Sequence, residues 1–141
     1  MGIKLPEVME AEMTLNNLHR RGFLGRQQMY AMLAVLEGEE HQYMLDKIKQ
    51  VSTTIETMPK TYQQDGLGDK AVVYLHYFRG GMDWHITEKD MEFEQLQAFG
   101  LADLGYGAEL GYIWLGEITS AGVELDLYWT PKTLAAVKAK S

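Results

Sequence analysis

The hydrophobic and polar positions of this chain fall into two regimes. Over residues 6–58 apolar side chains recur every third or fourth position, the spacing of one helix face. Over residues 71–129 they mostly alternate, the spacing of half-buried strands. The first regime predicts three helices. Residues 6–20 place Val8, Ala11, Leu15 and Leu18 on one face. Pro6 suits a first helical position, and Gly22 follows the end. Arg20 and Arg21 fall in the last turn, where the helix dipole favours cations. Residues 25–37 place Met29, Met32, Leu33 and Leu36 together, and Gly38 breaks the run. A third helix runs from about Glu39 to Met58, with two glutamates in its first turn. Its Met44, Ile48, Val51, Ile55 and Met58 are spaced by four and three, a coiled-coil-like seam of barely two heptads. Pro59 stops it.

Residues 59–70, PKTYQQDGLGDK, are rich in turn formers and predict a loop. This is also the only candidate boundary between a helical part and a β-rich remainder. Residues 71–79 and 82–88 predict a β-hairpin around Gly80-Gly81. With those glycines as the loop, Tyr77 faces Trp84, Leu75 faces Ile86 and His76 faces His85. Val73, Leu75, Tyr77, Trp84 and Ile86 then share the core face. Residues 88–95 read as an acidic connection, 96–102 as a third strand, and ELGYIWL after DLGYG as a fourth. Residues 116–121 read as a helical turn. Val123, Leu125, Leu127 and Trp129 read as one side of a fifth strand. Thr130 and Pro131 have the residue types of a helix start, so a C-terminal helix is expected over 131–140.

The expected fold class is therefore α+β in a single domain, residues 1–141. Three N-terminal helices (1–58) pack on a mostly antiparallel sheet of four or five strands (71–129), and a short helix ends the chain. A chain of 141 residues is long enough to bury a core without staples. There are no cysteines, which excludes disulfides, thiolate metal sites and thiol catalysis. The N-terminal stretch MGIKLPEVMEAEM lacks the apolar region of a leader. No apolar run reaches membrane-spanning length. A cytoplasmic protein with no membrane partner is expected.

Net charge is −7, unevenly spread. Residues 1–60 carry seven basic and eight acidic side chains, a balance of −1; residues 61–141 carry six and twelve, a balance of −6. Such a field repels phosphate backbones and argues against direct nucleic-acid binding. It suits a host protein with a basic surface, and the carboxylates Glu88, Asp90, Glu92, Glu94, Asp103, Glu109, Glu124 and Asp126 are the candidate contact residues. Solubility alone is the plainer explanation of the same charges. Tyr112, Trp114, Tyr128 and Trp129 offer rings that would anchor a partner if exposed beside those acids.

Catalytic alternatives have weaker signals. His76, Asp83 and His85 on one hairpin face are the residue types of a zinc site with an open position, and paired carboxylates are the types that hold magnesium. Either would fit a metal-dependent hydrolase acting on nucleic acid. Against this, Asp83 lies opposite Phe78 rather than between the histidines, and cross-strand histidine pairs are ordinary. The glycines of DGLGD and GLADLGYGAELG match no phosphate loop, and no nucleophile elbow is present. No catalytic residue and no cofactor is assigned. A third possibility is an oligomeric scaffold built on the Met44–Met58 seam, with a monomer or homodimer as the expected state.

The blocks MPKTYQQDGLGDKAVVYLHYF, DWHITEKD, AFGLADLGYGAELGYIWLGEI and VELDLYWTPKTL, in that order, resemble a bacterial domain family of unknown function carried on plasmids, integrative elements and phage-like islands. The resemblance covers roughly residues 57–135. The family pattern has an aromatic residue, usually tyrosine, where this chain has His85, which weakens a metal reading of the histidine pair. The resemblance implies a setting: a non-enzymatic accessory protein of a mobile genetic element. Together with the acidic surface it leads to the expectation of an inhibitor of a restriction or CRISPR defence system.

Overall fold

The structure, a computed structural model, describes residues 5–140; the first residues of the stretch read for a leader, and Ser141, lie outside it. Three helices come first: α1 (Pro6–Arg20), α2 (Arg26–Leu36) and α3 (His41–Thr57). Strands β1 (Val72–Val73), β2 (Leu75–Arg79), β3 (Met82–Glu88), β4 (Ala98–Asp103) and β5 (Ala108–Ile113) follow, then helix α4 (Leu115–Ser120). The chain closes with β6 (Glu124–Leu125), β7 (Lys132–Thr133) and α5 (Leu134–Ala139). The main sheet is antiparallel with order β5-β4-β3-β2-β6, and β1 pairs with β7 in a small second sheet. The fold class is α+β, as the two regimes predict. No helix among the described residues is long and apolar enough to cross a membrane.

The hairpin forms in the predicted register: Leu75 faces Ile86, His76 faces His85 and Tyr77 faces Trp84. Gly80, at φ +56°, takes a left-handed conformation in the turn, open to glycine at no steric cost. Leu75, Tyr77, Trp84, Ile86, Ala98 and Ile113 bury one sheet face against the helices. The seam residues Met44, Ile48, Val51, Ile55 and Met58 are buried in the same core as Leu15, Leu18 and Phe23. They pack inside the chain and offer no surface to a second copy.

The other face of the sheet is partly covered as well. Ala71, Val73, Leu101 and Leu134 form a second buried cluster, with Trp129 and Val137 packed on it. The sheet therefore lies between the helical layer and a small C-terminal cap.

Three expectations need correction, two about strands and one about the last helix. Residues 71–79 are two strands broken at Tyr74, because β1 leaves the sheet to pair with β7. The strand expected over 123–129 pairs only at Glu124–Leu125. Beyond it the Asp126 carboxylate accepts from the Tyr128 backbone N–H at 2.9 Å, and Trp129 N–H donates to the Asp126 carbonyl, turning the chain. Leu125 thus packs toward the helices, while Trp129 packs over the histidines on the other face. Lastly, Thr133 and not Thr130 caps the C-terminal helix, its hydroxyl accepting from Ala136 N–H at 3.2 Å. Lys132–Thr133 is held in extended form by β1, so the helix starts after it.

Glutamine side chains join the layers. A primary amide has a donor and an acceptor with the spacing of a peptide group. Gln64 uses both on Val72, donating to its carbonyl (2.9 Å) and accepting from its N–H (2.8 Å). Gln28 does the same to Leu125, at 2.8 Å for each bond.

Candidate functional site

The carboxylates predicted as one contact surface separate into two groups. Glu88 and Asp90 are each 5% exposed. Glu88 accepts from Tyr62 N–H at 2.6 Å and from the Thr87 hydroxyl at 3.0 Å. Asp90 accepts from Glu92 N–H at 3.1 Å and Gln97 N–H at 2.7 Å, ordering the loop that leads to β4. Between them Lys89 is buried too, donating to the carbonyls of Ile55 (2.6 Å) and Glu56 (3.0 Å) at the end of α3. Burial holds its ammonium below the ordinary lysine pKa. The EKD of the DWHITEKD block is thus a structural joint between helices and sheet, not a contact surface. Buried charges that each find several partners have that role in general.

Asp103 caps its own turn through Gly105 N–H (3.0 Å), and Asp126 is half-buried against His76. Glu92, Glu94, Glu109 and Glu124 are exposed. Glu124 stands apart from Glu109. Glu109 lies on β5 and Glu124 on β6, at opposite edges of the sheet, about 19 Å apart at the usual strand spacing.

The histidines form a cluster of a different kind. His76 Nε2 lies 2.7 Å from Asp83 and Nδ1 lies 3.0 Å from Asp126. Asp83 is opposite Phe78 as the register requires, and its side chain reaches back to His76, so these two of the three grouped residues meet. His85 stacks on His76 with centroids 4.7 Å apart and planes 11° apart, and Trp129 covers both rings. Nitrogen lone pairs lie in the ring plane, so two rings stacked face to face do not aim them at one point. Among the described residues no group of three histidine or carboxylate side chains is arranged to hold a metal ion. His76 bonds Asp126, and both histidine rings lie against Trp129, so the pair packs on the C-terminal segment. His85 Nδ1 is buried without a hydrogen-bond partner among the described residues. Burial, helped by the neighbouring His76, pushes the His85 pKa down to about 4.

The β5 side is one surface open to a partner. Tyr106, in the β4–β5 turn, is 96% exposed; Leu110 and Tyr112 on β5 are 50% and 56% exposed, and Trp114 just beyond is 50% exposed. Tyr112 meets the Phe99 ring edge-on at 5.6 Å and shares a 2.8 Å hydroxyl–hydroxyl bond with Tyr62. That bond raises the Tyr112 pKa. The Tyr112 ring is therefore held in place while exposed. By contrast Trp129 is half-buried, and Tyr128, which bonds Tyr43, lies outside any strand. Donating its hydroxyl to Tyr128 pushes the Tyr43 pKa up to about 12.

The chain segment that carries this side is acidic, and Arg20 of α1 reaches it over the Phe93 ring at 5.9 Å. From Asp90 to Thr130, 41 residues, the sequence has eight carboxylates and no lysine, arginine or histidine. Glu117, on α4, belongs to this set and is absent from the carboxylates that the sequence singles out. The span contains β4, β5, α4 and β6.

No curated protein and no solved structure matches the chain. The family described as "Protein of unknown function (DUF2958)" matches residues 39–134, from the start of α3 through the first residue of α5. That span holds the whole sheet and the Glu88–Asp90 joint, and it is more than half of the 141 residues. This chain therefore belongs to the DUF2958 family.

Proposed function

We propose that this protein is a non-enzymatic binding protein that engages a basic protein partner through the β5 side of its sheet. One observation carries the reading: β5 and its flanks lie within a 41-residue span without a basic residue, and Tyr106, Leu110, Tyr112 and Trp114 stand exposed there. Aromatic anchors beside a run of carboxylates are what a complementary protein surface needs, the rings for affinity and the charge for steering. The setting follows from the sequence resemblance: an accessory protein of a mobile genetic element, acting on a host defence protein in the cytoplasm. The contact carboxylates are Glu92, Glu94, Glu109 and Glu117; Glu88 and Asp90 are left out because they hold the fold.

The test is a pull-down of the tagged protein from a bacterial host lysate at low and raised salt, beside a Glu92, Glu94, Glu109 and Glu117→Gln variant. The expected result is a basic partner captured at low salt, released at high salt and missed by the variant. Capture that is equal for both proteins would refute the acidic-surface reading.

A further inference from the structure

The two edges of the main sheet are treated differently. The β6 edge is two residues long, and the Gln28 amide takes the outward N–H and C=O of Leu125. The β5 edge has six residues, Ala108–Ile113, in unbroken register with β4. Natural edge strands are kept from pairing by charged side chains, lysine above all, by proline, bulges, shortness or a cover, and the one charge on β5 is Glu109. Strand β5 has no lysine, no proline and no bulge, and it presents Leu110 and Tyr112. Alternate residues of an edge strand aim both backbone groups outward, so three of the six in β5 do so.

We infer that β5 is the docking edge for an extended segment of the partner, which adds to the sheet as a sixth strand and carries lysine or arginine at alternate positions. This rests on the proposed function and supplies its mode. The side chains of an added strand alternate between the two sheet faces. On one face they meet Leu110 and Tyr112, which calls for apolar residues. On the other they meet Glu109 and Gly111, and a Cβ built at Gly111 meets nothing within 4 Å. That gap admits the long stem of a basic side chain reaching Glu109. A second copy of this chain is disfavoured, since its own β5 side repeats the same negative charge.

The probe is an acetylated, amidated peptide of alternating lysine and valine, about ten residues long, the upper range of a natural strand. It is titrated into isotope-labelled protein at low ionic strength. Two further peptides carry backbone N-methyl groups, one at the lysines and one at the valines. Strand addition uses the N–H groups of one set only. One methylated peptide should therefore bind like the parent, and the other should bind about tenfold more weakly or worse, having lost several backbone hydrogen bonds. Amide exchange should slow at alternate β5 residues in the parent complex. Equal, salt-sensitive binding of all three peptides would overturn strand addition while leaving the acidic-surface reading in place. If the parent peptide does not bind at low salt, both fall together.

Discussion

The β6 and β5 edges belong to one sheet and have opposite fates. At β6, the Gln28 side chain occupies the place of the next strand and bonds Leu125 on both sides. At β5, six residues end in solvent with rings and a carboxylate beside them. Both edges present the same backbone chemistry. What differs is whether another part of the chain completes it, so an open edge of that length reads as a surface kept for a partner.

The contrast can be broken at several points. The largest effect is expected one strand in from the open edge. Gly100 and Gly111 face each other across β4 and β5. A Cβ at Gly100 would lie 2.1 Å from the His85 carbonyl oxygen. Gly100→Ala should therefore cost about 3 kcal/mol or more, at the top of the overpacking range, measured by urea denaturation. Second, Gln28→Ala removes the cover of the β6 edge and leaves two groups of buried Leu125 unpartnered. A loss of about 2 kcal/mol is expected. If stability were unchanged, water would serve the edge as well as Gln28 does, and the contrast between edges would lose its force.

A smaller effect separates the capped part of the outer face from bare β5. The unfolded chain protonates His85 near pH 6.5, while the folded chain does so only near 4. Between those values protons favour the unfolded state, so stability falls as pH falls. His76, Asp83, Asp103 and Lys132 are the charged neighbours that also act on this ring. His85→Phe should flatten the slope of melting temperature between pH 6.5 and 4, while variants confined to β5 leave it alone. The smallest effect is expected on the open edge itself. Gly111→Val adds a side chain to free space in a strand, and stability should stay within about 0.5 kcal/mol. The same change should weaken the lysine–valine peptide by filling the gap left for a basic stem.

Much of this fold was legible in order along the chain. Helix faces came from spacing, and the hairpin register came from Gly80-Gly81. The candidate site was legible in part. The acidic bias and the rings Tyr112 and Trp114 stand in the sequence; the split among the carboxylates does not. Glu88 and Glu94 look alike in EKDMEFE, yet one is buried on Tyr62 N–H and the other is exposed. The partner that decides between them is 26 residues away, and no local pattern reports it. Gln28 and Leu125, 97 residues apart, are equally silent.

The sequence by itself determined the periods, the turn at the hairpin, the sign of the charge and the family. These depend on neighbours within a few positions or on sums over the chain. Only the tertiary structure decided which carboxylates hold the fold, which face Trp129 covers, where the last helix starts and which edge stays open. Those outcomes depend on backbone groups finding partners across the molecule, and a buried polar group takes whichever partner the packing brings to it.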